Sequence, residues 1–385
     1  MSFWHEIEKP VIGLSPMDGV TDLPYRMMHA KYGNPDVIFT EFIPVEGIVR
    51  LNERLLMDFW YCAQERPVVA QIYGKDLDLF YSSTQLVCEL GFDGVDINMG
   101  CPARSVVHRG CGAALINTPK LAQDIVHTVK QAVLDWEKDG INWEKWPVIP
   151  SEKARKLLNE FAQKSQQMGL YEDATPLSDT NTRVSIPVTV KTRIGFDKPV
   201  VEEWMEYLLQ TPAEVISIHG RTLKQMYTGG ADWEEIKRAV DFRNTANSDK
   251  LIFGNGDVKT VADAAERVKE TEVDGILIGR GTFGNPWLFK DFKQKVISQL
   301  QNGNNTSPKA TGPRDLHDLF SVMLEHAKLH DHYKPEKAFV QMRKNLAWYI
   351  SGIPGASNLR AQLVRSSSPK DIESIIENYK ANHDS

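Results

Sequence analysis

Four cysteines in a chain of 385 residues are too few for a disulfide framework. Cys62, Cys88, Cys101 and Cys111 contain no C-x-x-C pair, so zinc-ribbon and thioredoxin-like motifs are excluded and reduced thiols are expected. Long apolar runs are missing too: none reaches bilayer-spanning length, and Met1–Leu14 has neither the basic start nor the apolar segment of a secretory leader. A cytoplasmic chain without membrane attachment is therefore expected. Positive charge is not in excess, the net being −6 at pH 7, so any nucleic acid must be recognised by a local patch and not by the field of the whole molecule. No glycine-rich fingerprint follows the first β-like run, where a doubly wound dinucleotide fold would place it.

What is present reads as a large globular core, with 42% hydrophobic and 25% charged residues. Short β-branched runs alternate with amphipathic stretches, as repeated βα units do. Strands are expected at Val11–Leu14, Val37–Thr40, Val68–Gln71, Gly94–Asn98, Val188–Lys191, Val215–His219, Leu251–Gly254 and Gly275–Gly279. Eight such units predict an α/β fold, a (β/α)8 TIM barrel over residues 1–301, with functional groups on the loops after the strands. The rhythm breaks at about 136–185. That insertion reads as a solvated surface decoration, with a polar helix opening at a capping Ser151 and running to Met168, then a loop from Asp173 to Thr182. A polar linker at 302–312 ends the barrel, and 313–385 forms a small C-terminal helical domain with helices at Arg314–Tyr333, Pro335–Ile350, Gly355–Val364 and Pro369–Tyr379.

The chemistry concentrates at Gly94–Pro102, where a strand of alternating Val95, Ile97 and Met99 ends in a glycine turn that presents Cys101. A lone cysteine is more often a small buried hydrophobe, but a strand-end position in a barrel reverses that weighting. The other strand ends supply groups suited to one ligand. The first gives the turn Pro16-Met17-Asp18, able to lie against a flat ring, and the third gives the amide of Gln71. Asn98 accompanies Cys101, the fifth gives Lys191 with Arg193 close behind, and the sixth gives His219. A lysine ending an apolar strand is costly to bury without an anionic or electron-rich partner. After the seventh strand come Asn255, Gly256 and Asp257, and after the eighth Gly279 and Arg280, two loops at the usual phosphate site of such barrels. Phosphate at one end, a cation in the middle and amides at the other describe flavin mononucleotide (FMN), with Lys191 facing the negative charge of the reduced ring.

The combined motifs resemble the dihydrouridine synthases. The stretches are LSPMDGVTD at Leu14–Asp22, QIYG at Gln71–Gly74, GVDINMGCP at Gly94–Pro102, GCGAALI at Gly110–Ile116, VTVKTRIG at Val188–Gly195, IHGRT at Ile218–Thr222, NGD at Asn255–Asp257 and IGRG at Ile278–Gly281. Arg343-Lys344-Asn345, Tyr349 and Gly352–Ala356 resemble the family's helical domain, and the insertion departs from its compact pattern. The resemblance implies a tRNA-dihydrouridine synthase that binds FMN, takes electrons from NADPH and reduces uridine in tRNA. It makes Cys101 the acid that protonates uracil C5 while hydride enters at C6; a thiol with an ordinary pKa near about 8.5 carries its proton at neutral pH, which agrees. Asn98 would read the uracil edge, and Arg193 would contact flavin or substrate. Two other readings stand beside it: a flavin barrel acting on a small molecule such as dihydroorotate or an enone, and an RNA-binding barrel without catalysis. Residues 314–365 carry eight Lys or Arg against five Asp or Glu, so Arg343, Lys344 and Arg360 are the candidate RNA contacts. His317, His326, His330 and His332 lack metal-ligand spacing and read as surface or RNA-facing groups; no metal and no second protein chain is expected.

Overall fold

The computed structural model describes residues 2–171, 183–302, 315–334, 336–351, 353 and 355–383. Its centre is a closed parallel barrel of β1 (Val11–Leu14), β2 (Val37–Pro44), β3 (Val68–Tyr73), β4 (Gly94–Met99), β5 (Val188–Arg193), β6 (Val215–His219), β7 (Leu251–Asn255) and β8 (Gly275–Ile278). Strands follow one another in sequence order, and β1 pairs with β8 to close the ring. Large apolar side chains fill the interior away from the site: Val11, Val37, Phe39, Val69, Val215, Leu251 and Phe253 cluster with the fully buried Trp4, which stoppers that end from a short 3-10 turn.

Most strands run one or more residues further than their β-branched runs suggest. The polar pair Thr40-Glu41 does not end β2, which bulges between Phe39 and Phe42 and continues to Pro44. Thr40 makes this possible, because its hydroxyl accepts from the Gln71 N–H at 3.0 Å and donates to the Glu41 carbonyl at 2.8 Å. At the other end Gly279 has left β8 and leads into a 3-10 turn over Arg280–Thr282.

The insertion is not a surface decoration. Its helix Ser151–Gln167 buries Ala154, Leu158, Phe161, Ala162 and Ser165, a stripe of helical period, against the barrel's principal core. Trp60 stacks on Phe161 and donates its indole N–H to Ser165 Oγ at 2.8 Å, and Trp146 donates to the Val49 carbonyl at 3.0 Å. Nor does Ser151 cap this helix; it is the first helical residue, after Pro150, and its hydroxyl donates to the Trp143 carbonyl. The loop expected at Asp173–Thr182 lies outside the described residues, as does the linker at 302–312 apart from Asn302, which ends a helix.

The C-terminal region comprises helices Leu316–Tyr333, Met342–Tyr349, Ala356–Leu363 and Pro369–His383. The single helix expected over Pro335–Ile350 is instead a 3-10 turn, Glu336–Gln341, followed by a helix. Its core includes Met28 and Trp287 of the barrel, so the two parts share packing. His326 and His330 are buried, contrary to the surface reading, because they lie on the same face as Leu319, Met323 and Ala327; His326 Nδ1 pairs with the Tyr349 hydroxyl at 3.0 Å. His317 and His332 are exposed. Among the described residues no helix is long and apolar enough to cross a membrane.

Candidate active site

The loops that follow the strands surround a cavity of about 690 Å³. The first loop contributes Pro16, Met17 and Asp18; β3 contributes Gln71; the turn after β4 contributes Asn98 and Cys101. Lys191 and Arg193 come from β5, His219 from β6, Asn255, Gly256 and Asp257 from β7 and its loop, and Gly279 and Arg280 from the loop after β8. Every residue assigned from the strand ends thus meets in one space, because a parallel barrel brings all its carboxyl ends to one face.

A buried polar chain fixes the cysteine. Asp96 accepts from Thr189 Oγ1 at 2.5 Å and from Gln71 Nε2 at 2.6 Å. The oriented Gln71 then accepts from Asn98 Nδ2 at 2.9 Å, and Asn98 Oδ1 receives the backbone N–H groups of Gly100 at 3.1 Å and Cys101 at 2.9 Å. With its oxygen engaged in the turn, Asn98 retains one N–H for anything in the cavity. Burial raises the Asp96 carboxyl to about 6, against its bonds to Thr189 and Gln71 and the charge of Lys191. The Cys101 thiol is likewise held above its ordinary value by burial, with a smaller push from the Asp18 charge, while the Ala103 N–H and then Arg193 and Lys191 oppose the rise. It remains a thiol at neutral pH. Cys111, buried beside it, does not line the cavity, and its sulfur faces the Arg109 carbonyl at 3.7 Å.

The adjoining wall, on β5, is cationic. Lys191 Nζ donates to Asn255 Oδ1 at 3.1 Å, and the Asn255 amide is fixed by its bond to the Leu277 carbonyl at 2.7 Å. Burial, then the charge of Arg193, lowers the lysine to about 8. Arg193 donates through Nε to the Gly100 carbonyl at 2.6 Å and through Nη1 to the Thr222 carbonyl at 3.1 Å; burial lowers it to about 10, so it stays charged. His219 is driven far down by burial and by the surrounding cations and is a neutral imidazole.

At the glycine loops Asp257 organises two arginines. Its Oδ2 accepts from Arg221 Nη2 at 2.6 Å and from the Ala231 N–H at 2.8 Å, and its Oδ1 from Arg280 Nη2 at 2.9 Å. Burial works to raise this carboxyl, but those bonds and both guanidinium charges outweigh it and hold it low. Asp257 is therefore a brace for Arg280. Gly256 has φ +135°, closed to other residue types, and a Cβ on Gly279 would lie 3.2 Å from Met17 Sδ.

Arg221 escaped the sequence reading although it stands two residues after His219. It is a buried guanidinium whose partner comes from a distant loop. Tyr227, exposed on the rim with Arg280 5.5 Å over its ring, was also missed. None of Arg343, Lys344 and Arg360 lines the cavity. Arg343 Nε donates to the Ser366 carbonyl at 3.0 Å, Lys344 Nζ donates to the Gly19 carbonyl at the rim, and Arg360 is exposed.

Comparison with known proteins adds the following. The family description "Dihydrouridine synthase (Dus)" matches residues 13–136 and 175–383, leaving between them the segment that holds the helix Ser151–Gln167. The "Probable tRNA-dihydrouridine synthase 2" of Bacillus subtilis strain 168 is 28% identical over 384 residues, covering 98% of this chain and 97% of that protein. A "Probable tRNA-dihydrouridine synthase" of Staphylococcus aureus strain COL is 27% identical over 392 residues, covering 100% and 97%. Among solved structures, DHODH in complex with ferulenol from Eimeria tenella aligns with a TM-score of 0.47 at 15% identity, over 76% of this chain and 82% of that one. Morphinone reductase in complex with tetrahydroNAD aligns with a TM-score of 0.40 at 11% identity, over 74% and 86%.

Proposed function

The chain belongs to the dihydrouridine synthase family, and from that premise we propose that it reduces uridine to 5,6-dihydrouridine in tRNA, with FMN bound in the barrel cavity and NADPH as reductant. The observation that carries this reading is the placement of Cys101: a protonated thiol on the cavity wall, its backbone pinned by Asn98, beside Lys191 and Arg193 of the neighbouring strand.

The residues present fit FMN. A cavity of about 690 Å³ lies within the usual range for a site of this kind. At one end, Gly256 and Gly279 leave open backbone where side chains would intrude, next to the braced Arg280, an arrangement suited to phosphate. The neutral His219 adds a polar group without a further charge. Deeper in, Lys191 offers a cation and Gln71 an amide, which suit the polar edge of the ring, and Pro16-Met17-Asp18 border the same space. When bound and reduced, FMN supplies the hydride that uracil C6 accepts.

This chain's own groups then do the rest. Cys101 gives its S–H proton to C5, which completes the addition of two hydrogens across the C5–C6 double bond. The resulting thiolate lies near the charges of Arg193 and Lys191, which lower the cost of the transfer, and it regains its proton from solvent. Asn98 keeps one N–H for the uracil edge, and Arg193 retains Nη2 for the base or its phosphate. The helical region 313–385 would grip the RNA around a uridine held out of its stack, with Arg360 and Arg343 as phosphate contacts.

Purified protein tests this directly. Wild type should carry FMN and form dihydrouridine in uridine-containing tRNA on addition of NADPH. Cys101→Ala should retain FMN and oxidise NADPH under oxygen yet form dihydrouridine at least about a hundredfold more slowly, the usual worth of a positioned acid. Cys111→Ala should behave as wild type, and the reverse pattern would transfer the acid to Cys111.

A further inference from the structure

The helix Met342–Tyr349 reaches the barrel at the two loops that border the cavity beside β1 and β8. Lys344 Nζ donates to the carbonyl of Gly19, and its charge opposes the rise that burial imposes on the neighbouring carboxyl of Asp18. One helical turn on, on the same face, Trp348 stacks on Phe283 with ring centroids 3.9 Å apart and planes 9° from parallel. Gly284 comes next at φ +70°, and a Cβ there would run into the Trp348 carbonyl. Asp18 and Phe283 both line the cavity, so this helix lies directly behind its wall.

The two loops are also neighbours of each other. The Ser15 N–H donates to the Ile278 carbonyl at 3.0 Å, and the Tyr25 hydroxyl pairs with Thr282 Oγ1 at 2.7 Å. These bonds tie the loops at their roots. Lys344 and Trp348 hold them further out, at Gly19, between the cavity-lining Asp18 and Val20, and at Phe283, which lines the cavity itself.

We propose that Lys344 and Trp348 are positioning residues of the cofactor cradle: through them the helical region fixes loops 15–20 and 279–283 and so helps to retain FMN, in addition to facing RNA. This rests on the FMN reading of the cavity. It gives Lys344 a different task from the phosphate contact expected from charge alone, since its ammonium is already engaged on the barrel.

The test uses the full chain with Lys344→Met, Trp348→Ala and the conservative Lys344→Arg and Trp348→Phe. Three quantities are read: FMN affinity of the stripped protein by quenching of FMN fluorescence, amide exchange at 16–22 and 280–284 without FMN, and tRNA affinity. Lys344→Met and Trp348→Ala should each weaken FMN binding about tenfold, as expected for one charge-assisted bond or one half-buried ring contact. Both should hasten exchange in the two loops, and Trp348→Phe should restore most of the loss. Wild-type FMN affinity and exchange in both variants overturn the proposal, and a fall in tRNA affinity alone would make Lys344 an RNA contact. A wild-type protein that takes up no FMN contradicts the reading of the cavity instead; loop exchange then still decides whether the helix holds the loops. Should Trp348→Ala fail to fold, the half-buried Lys344 carries the test through its Met and Arg variants.

Discussion

Cys101 and Lys191 show how burial sets opposite chemistry at two neighbouring strand ends of one cavity. Desolvation disfavours whichever form is charged, so it keeps the cysteine protonated and weakens the proton's hold on the lysine. For the cysteine this is the state a proton donor needs. For the lysine it sets a pH limit: its positive charge, present at neutral pH, is lost as pH rises through about 8. FMN affinity measured by fluorescence should therefore be level below that pH and fall above it. The midpoint should lie at or above the unliganded value, because a bound anion favours the protonated amine. Lys191→Met should bind FMN more weakly and without that fall. A wild-type affinity that is flat across this range would separate Lys191 from the anionic ligand.

The helix Ser151–Gln167 makes a prediction that a surface decoration would not. Phe161 is buried against Trp60, so Phe161→Ala should destabilise the fold by about 3–5 kcal/mol, whereas Lys153→Ala on the exposed face should stay within about 0.5 kcal/mol. Urea denaturation checks both. The apolar stripe of this helix was legible in the sequence, but its partner, Trp60, belongs to a segment about a hundred residues earlier, and a local pattern cannot say what will cover it. His326 and His330 were misjudged for the same reason. By contrast, the strand-end residues were legible because the closure of a parallel barrel dictates where they meet: once the eight strands are placed, Gln71, Cys101, Lys191 and His219 must share a face. Arg221 was not legible, since a buried guanidinium is recognised by its carboxylate, and Asp257 reaches it only through the fold.

The junction between barrel and helical region is held by charge as well as by packing. Lys334 approaches Asp22 at 3.8 Å and Asp58 at 3.4 Å, with Glu41 beside them, His330 3.9 Å from Asp22, and Arg26 paired with Glu65 at 2.5 Å behind. Burial, reinforced by Asp22 and Asp58 against Lys334 and Arg26, raises Glu41 from 4.5 to about 8. The sign follows from proton uptake: the folded state binds a proton that the unfolded state releases, so this stability is present below pH 4.5 and is lost as pH rises towards 8. Denaturation between about pH 5 and pH 8 should show that decline, and Glu41→Gln should remove it. On the outer surface, replacing Arg343 and Arg360 by Ala should weaken tRNA binding and reduce the salt slope by about one to two phosphate contacts, leaving FMN content unchanged. An unaltered slope would move the RNA footprint to another face, with the exposed side of the helix Ser151–Gln167 next in line. The central claim, that this cavity reduces uridine in RNA with Cys101 as the acid, is tested most directly by mapping dihydrouridine in tRNA from cells that lack the protein. The account predicts that one or more sites lose the modification, that the wild-type chain restores them and that Cys101→Ala does not. Unchanged dihydrouridine at every site without the protein, or full restoration by Cys101→Ala, would contradict it.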